Sequence, residues 1–453
     1  MKKYDNFNLM KLKLPKISDI KNKTVFVRVD YNVPLKTEVD GTGNKKIVVV
    51  NDERIKASLE TINFLLKNDA TVVLASHLGR PKSANDSELS LEPIAKYMTE
   101  NLGLSVQFVK SCIGEEVERA LNQSNNSAND SSASSSPANK NPAKIFLLEN
   151  LRFHNEEEEN DADFSKKLAK NMDVYINEAF STTHRAHASI VGITHYLPSF
   201  AGFALEKEVA TFAKMMSEPK RPLVIVLGGA KISDKVGAIE HLAKIADIVL
   251  VGGAVSNSFL KADGFKTYKS YIEDAPADLK KKKINYVDFA CSLIEKHKTE
   301  KMLINGYIPM DKILYPIDVI AAHSLEEKAA EKTVVIDLSK ENGHELDDGL
   351  LYLDIGPKTI RLYQEIIEQA GTVFWNGPMG VWENPIFAKG TRKIAVAVAL
   401  SGAETIIGGG DTIGAVTNFG LEQQFGYVSA AGGAALDLLS GKMLPGIKPI
   451  LED

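Results

Sequence analysis

Short apolar runs recur along the chain, at residues 24–29, 71–75, 144–148, 174–176, 223–227, 248–251, 333–336, 372–375 and 404–407. Each precedes a stretch with helical apolar periodicity. A run that is apolar throughout, rather than alternately, predicts a strand buried on both faces and hence a parallel sheet between helix layers. Strand, loop and helix in this rhythm predict α/β architecture. Ligands of such sheets sit at the carboxyl ends of the strands, and nearly every unusual string here falls there.

Two stretches break the rhythm. Residues 122–143 contain 13 Ser or Asn among 22 and nothing large and apolar, so a disordered insert is expected between a helix and the strand near Lys144. Residues 205–219 read as a helix ending in S-E-P-K-R-P, after which the strand–helix pattern restarts. At 453 residues the chain exceeds one ordinary core. The expected division is an N-terminal lobe over 1–204, a connecting helix over 205–219, a C-terminal lobe over 220–430 and a segment over 431–453.

Composition narrows the function. Net charge is −5, which gives no basic field for nucleic acid or an anionic membrane. The two cysteines, Cys112 and Cys291, have no zinc or paired-thiol spacing, and a reducing compartment suits them. No run approaches the ~20 apolar residues of a spanning helix, and residues 1–10 lack a signal-peptide core, so a cytoplasmic location is expected.

Arginine use is more telling. Of 54 basic residues nine are arginine, and five of these lie in short strings before residue 190. They are Arg28 in V-R-V-D-Y-N-V-P, Arg54 in N-D-E-R-I, Arg80 in S-H-L-G-R-P, Arg152 in E-N-L-R-F-H and Arg185 in T-H-R-A-H-A-S. A planar guanidinium grips carboxylate or phosphate bidentately, which an ammonium does not. Singly, each reads as a surface ion pair; together they predict a site for a small, strongly anionic substrate.

The second half carries glycine turns after strands. In L-G-G-A-K-I-S-D-K-V the glycines admit a phosphate, and the next helix directs free N–H groups at it. Lys231 and Lys235 are four apart, so on a helix they share a face toward one polyphosphate; the alternative is a tight turn with solvated lysines. G-G-G-D-T, with Gly409, Gly410, Asp411 and Thr412, offers backbone donors and one carboxylate suited to Mg²⁺. W-N-G-P-M-G-V-W-E ends in Glu383, an acceptor for a ribose hydroxyl or else a solvent-facing carboxylate at a helix start.

Taken in order, R-V-D-Y-N-V-P, S-H-L-G-R-P, H-R-A-H-A-S, G-G-A-K, L-D-I-G-P-K-T, N-G-P-M-G-V and G-G-G-D-T resemble the phosphoglycerate kinase family over about 14–451. The resemblance implies two Rossmann-like lobes with parallel sheets flanked by helices, joined by a connecting helix and hinge, the last residues returning to the N-terminal lobe. It implies Mg²⁺-dependent phosphoryl transfer between 1,3-bisphosphoglycerate and ADP, by a monomer. Asp30, Tyr31, Asn32, Arg54, His77, Leu78, Gly79, Arg80, Arg152 and Arg185 would hold the phosphoglycerate. Lys231, Lys235, Tyr352, Glu383, Gly409, Gly410, Asp411 and Thr412 would hold ATP or ADP, with Asp411 on the metal and Arg54, Lys231 and Lys235 catalytic. Against the family pattern, Glu178 stands for Asp, Tyr352 for a glycine beside the adenine pocket, and S-A-A-G-G-A for S-T-G-G-G-A.

Overall fold

The computed structural model describes residues 11–39, 43, 45–83, 86–129, 144–273, 284–304, 306, 308–338 and 347–452. They fall into two compact units, 11–211 with 443–452 and 212–442. The first unit contains β1 (Thr24–Arg28), β2 (Leu35–Val39), β3 (Lys45–Val49), β4 (Thr71–Ala75), β5 (Val106–Val109), β6 (Ile145–Leu148), β7 (Val174–Asn177) and β8 (Ser199–Ala201). Six of these make a parallel sheet in the order β5-β6-β4-β1-β7-β8, and β2 and β3 form a separate antiparallel pair.

Strand apolarity follows from two helix layers. Val25 and Val27 of β1, Val72 and Leu74 of β4, and Ile145 and Leu147 of β6 enter one core cluster. Their neighbours Phe26, Val73, Phe146 and Leu148 enter another. Side chains alternate across a strand, so a strand packed on both faces must be apolar at every position.

The second unit adds β9 (Leu223–Leu227), β10 (Ile248–Val251), β11 (Lys301–Ile304), β12 (Ile308–Asp311), β13 (Ile313–Leu314), β14 (Asp318–Ala322), β15 (Val334–Asp337), β16 (Leu351–Ile355), β17 (Thr372–Asn376), β18 (Glu404–Gly408) and β19 (Tyr427–Ser429). A parallel sheet runs β13-β10-β9-β17-β18-β19. In each parallel sheet the chain reverses its direction of strand addition near the centre, between β1 and β7 and between β9 and β17. Those points open crevices for ligands.

Three expectations need correction. The run at 333–336 is not in a parallel sheet: β15 is the outer strand of an antiparallel trio, β15-β14-β16, and only Ile336 of the strand is buried. Its apolar run covers one small cluster rather than two helix layers. The helix Glu115–Asn129 reaches into the Ser/Asn-rich stretch, so its first eight residues, 122–129, have helical backbone. No Gly or Pro interrupts them, and residues 130–143 lie outside the described residues. Residues 431–442 belong to the second unit, where the helix Gly433–Leu439 buries Ala434, Ala435, Leu438 and Leu439. The segment grouped with the first unit starts at Met443. There the Gly446 N–H donates to Thr183 O at 2.8 Å, and Leu451 bridges Leu12.

The unit boundary after Thr211 falls inside the helix Phe203–Ser217. Its first turn is fastened by a buried carboxyl. Glu178 Oε1 accepts from the Ala204 N–H at 3.1 Å and from Thr61 Oγ1 at 2.9 Å, while Phe203 N–H donates to Thr61 Oγ1 at 3.0 Å. The extra methylene of Glu over Asp brings the carboxyl against Gly202, where any side chain would overlap it. Among the described residues no helix is long and apolar enough to cross a membrane.

Burial pushes the Glu178 carboxyl up to about 8. Because the folded value lies above the unfolded one, its contribution to stability is complete below about pH 4.3 and declines as pH rises toward 8. Glu178→Gln is therefore expected to flatten the fall in stability between pH 5 and 8. Urea midpoints across that range check this; parallel curves for the two proteins would refute it.

Candidate active site

Beyond β1 the chain delivers Asp30 and Asn32. Asp30 Oδ2 accepts from Arg54 Nη1 at 2.6 Å and from Ser181 Oγ at 2.5 Å. Arg54 comes from the short helix Glu53–Ala57, and its Nη1 also reaches Asn32 O at 3.3 Å. Asn32 Oδ1 accepts the Gly79 N–H at 2.9 Å, tying the turn after β1 to the turn after β4. Gly79 O in turn accepts Arg152 Nη1 at 2.7 Å, which joins the turn after β6. Groups beyond the ends of β1, β4, β6 and β7 thus share one network.

Asn150 holds the third turn. It is fully buried, its Nδ2 donates to Leu78 O and Leu89 O at 2.8 and 2.9 Å, and its Oδ1 accepts the Arg152 N–H at 3.1 Å. Arg80, Arg152 and Arg185 then line one pocket of about 300 Å³, together with His154, Asn155 and Glu158. Arg152 Nε pairs with Glu158 at 2.9 Å. Three guanidinium groups around so small a space suit a phosphate or carboxylate.

The charge around this pocket is felt by two buried imidazoles. His77 lies 3.2 Å by its Nδ1 from Arg28 Nη2. Burial, then the charges of Arg28, Arg152, Arg185 and Arg54, hold its pKa well below the usual histidine value. With Nδ1 accepting from Arg28, the ring's proton sits on Nε2 as a donor. His187 is pushed down to about 4, again by burial first and by Arg28, Arg152 and Arg185 next. Arg28 itself is 1% exposed, with its Nε on Ser189 Oγ at 2.8 Å. Ser189 is gripped by the buried carboxylate of Glu157 through its N–H at 2.9 Å and Oγ at 2.6 Å.

Two expected contacts do not hold as side chains. Tyr31 is fully buried, its hydroxyl 2.8 Å from Ser58 Oγ, and Leu78 is 3% exposed in the same core. Their backbone groups are engaged as well: Tyr31 N–H donates to Ser76 Oγ at 2.8 Å and Leu78 N–H to Asn150 Oδ1 at 3.2 Å. Ser181 and Asn150 were not foreseen as parts of the site. Ser181 directly follows N-E-A-F at the end of β7, and that strand-end place is the signal that would have found it.

In the second unit a cavity of about 560 Å³ opens at the ends of β9, β10 and β17. Lys231, Asp411 and Glu383 supply charge to its wall, while Val319, Leu353 and Val381 supply apolar surface. The turns after β9 and β17 touch: Gly229 N–H donates to Pro378 O at 2.8 Å, and Gly377, at φ +97°, lies so close to Gly228 that neither tolerates a side chain. Gly409, at φ +92°, leads into the helix Gly410–Asn418, whose first N–H groups and positive dipole end face outward beside Asp411.

Four further expectations change here. The helix after the first glycine turn begins only at Val236, so Lys231 and Lys235 do not share a helical face. Lys231 is exposed in the turn, whereas Lys235 is half-buried with its Nζ over Gly229. Burial lowers the Lys235 pKa, opposed by Asp234, Asp411 and Glu273. Thr412 is fully buried and its Oγ1 accepts the Gly377 N–H at 2.7 Å, so it braces the two turns. Tyr352 lines the cavity, but its hydroxyl donates to Lys266 O at 2.7 Å; it is a wall rather than a polar contact.

Asn257, Lys269 and Asp354 also line the cavity and had no expected role. Asp354 is pushed up to about 8 by burial and accepts the Gly390 N–H at 2.7 Å.

The arginine field generates a test. His187, with a folded pKa below its unfolded value, favours folding above about pH 6.5 and loses that contribution as pH falls toward 4. An anion seated among Arg80, Arg152 and Arg185 would offset the field. Saturating inorganic phosphate is expected to raise the His187 midpoint, followed by NMR of the imidazole; an unmoved midpoint would put the anion elsewhere.

The family model for phosphoglycerate kinase matches residues 15–442. The phosphoglycerate kinase of Pseudothermotoga lettingae is 42% identical over 434 residues, covering 96% of this chain and 97% of the relative. That of Moorella thermoacetica is 41% identical over 434 residues, covering 96% and 98%. Among solved structures, phosphoglycerate kinase from Coxiella burnetii aligns with a TM-score of 0.75 at 35% identity, over 95% of this chain and 97% of that one. The Pyrococcus horikoshii OT3 enzyme aligns with a TM-score of 0.72 at 31% identity, over 95% and 96%. With a family match across nearly all of its length and strand-end turns that carry the family's strings, the chain belongs to the phosphoglycerate kinase family.

Proposed function

We propose that the chain carries out the phosphoglycerate kinase reaction of glycolysis and gluconeogenesis, reversible phosphoryl transfer between 1,3-bisphosphoglycerate and ADP giving 3-phosphoglycerate and ATP. The observation that carries the assignment of sites is the convergence of Arg80, Arg152 and Arg185 on one small pocket, linked through Gly79 and Asn32 to Asp30 and Arg54. Asp30, Asn32, Arg54, His77, Arg80, Arg152 and Arg185 then bind phosphoglycerate by side chains, while the backbone hydrogen bonds of Tyr31, Leu78 and Gly79 hold the turns that carry them. Lys231, Lys235, Glu383 and the N–H groups of Gly409, Gly410 and Asp411 bind the nucleotide, with Tyr352 as a wall and Thr412 as a brace.

In the ATP-consuming direction the carboxylate of 3-phosphoglycerate attacks the γ-phosphorus, the new C(O)O–P bond forms, and the bond to the bridging β–γ oxygen breaks. A carboxylate is ionised at pH 7, so no general base is required. The protein's work is alignment and charge neutralisation, for which Arg54, Lys231 and Lys235 serve. Because the substrates are held by different units, turnover requires a closed arrangement that brings them in line and excludes water.

Asp411 suits Mg²⁺ as an exposed carboxylate on the cavity wall beside the first turn of a helix, and no cluster of three His, Cys, Asp or Glu stands among the described residues. Mg²⁺ keeps its waters readily and commonly takes one carboxylate plus substrate phosphates, so Asp411 fits as its protein ligand. When bound, the ion neutralises phosphate charge. We assign the enzyme to the cytoplasm as a monomer; a net charge of −5 argues against a nucleic-acid partner.

A coupled assay of ATP-dependent phosphorylation of 3-phosphoglycerate tests the reading directly. Arg54→Ala is expected to lower kcat by about 100-fold or more while nucleotide affinity stays within a few-fold, because the lost charge acts on the transferring group. Near-normal kcat would remove Arg54 from its role. Asp411→Asn is nearly isosteric and is expected to move the Mg²⁺ dependence of activity to higher concentration at fixed nucleotide, without lowering the melting temperature. An unchanged Mg²⁺ curve would place the ion on other residues.

A further inference from the structure

The turn between Gly228 and Lys235 carries both lysines of the nucleotide site, yet one of its main supports comes from a distant part of the chain. Ser233, between the two lysines, is gripped by Glu273. Glu273 Oε2 accepts the Ser233 N–H at 2.9 Å and Oε1 accepts the Ser233 hydroxyl at 2.5 Å. A carboxylate taking both donors of one residue fixes that residue in position and orientation, and such charge-assisted bonds are the stronger kind.

The carboxylate is anchored in turn. Two residues before it, Tyr271 O accepts Asn257 Nδ2 at 3.0 Å. Asn257 is 1% exposed on the helix Val255–Ala262, which starts just past the end of β10. The sheet therefore holds the turn twice, directly through β9 and through β10, Asn257, the segment 271–273 and Ser233. Glu273 also places a negative charge near Lys235, beside those of Asp234 and Asp411. The buried Tyr286 packs against the same serine and carboxylate.

We propose that Glu273 is a positioning residue for the nucleotide phosphates, setting the turn through Ser233 so that Lys231 and Lys235 meet them. It touches no reacting atom. The proposal rests on the nucleotide site assigned above to this unit.

Titration calorimetry of the full-length protein with ADP, and separately with 3-phosphoglycerate, tests it in Glu273→Gln, Glu273→Ala and Ser233→Ala. The glutamine keeps the volume but cannot accept both donors. Loss of the pin is expected to weaken ADP binding about tenfold, with 3-phosphoglycerate binding changed less than about twofold. The double variant Ser233→Ala with Glu273→Gln should bind ADP no more weakly than Glu273→Gln alone, because the two residues act as one unit. Should Glu273→Ala not fold, the other two variants carry the test. Unchanged ADP affinity in folded variants, or equal loss for both ligands, overturns the positioning role. Failure of the unaltered protein to bind ADP would instead overturn the nucleotide-site assignment itself.

Discussion

Holding several guanidinium groups together at one sheet edge is the constraint around which the first unit is organised. Like charges repel, so guanidinium groups brought this close must be held in place. The chain answers by giving three of these cations fixed acceptors: Asp30 for Arg54, Gly79 O and Glu158 for Arg152, and Ser189, braced by Glu157, for Arg28. Buried imidazoles nearby stay neutral, so the field is not increased further. The neutral acceptors among these leave a net positive field at the strand ends. Preorganisation of this kind lowers the reorganisation required on binding.

The second unit meets a different constraint, the close approach of backbone turns to one another. Glycines at 228 and 377 let two turns abut, and Thr412 stitches a third to them through the Gly377 N–H. Because the turns brace one another, side chains that look like ligands in the sequence are in part structural. Thr412 is the clearest case. Lys235 is another, since its ammonium lies over Gly229 instead of standing clear in solvent.

Much of this was legible in the sequence. Strands packed on both faces must be apolar throughout, so the central strands of both parallel sheets announced themselves, and three of the arginines singled out in a lysine-rich chain line one pocket. What failed to show had physical reasons. β5 and β15 lie at sheet edges and are only partly buried, which leaves no full apolar run or a misleading one. The helical face of Lys231 and Lys235 vanished because the helix starts at Val236, past both lysines. Tyr31 lies inside a binding motif yet packs inward, since neighbours along an extended chain point in opposite directions. Ser181 and Asn150 are small polar residues whose importance comes from what folds around them.

One feature of the first unit bears on how the protein is made. Residues 11–13 pair with 450–452: Lys13 N–H donates to Ile450 O at 2.8 Å, and Glu452 N–H donates to Lys11 O at 2.8 Å. The segment that closes the first unit is therefore encoded after the whole of the second. A ribosome presents the early residues long before their partners exist, so this unit reaches its final form only once the downstream unit has been synthesised. The described residues of the second unit, 212–442, come from one stretch of chain and are under no such delay. Order of translation and order of completion are thus reversed.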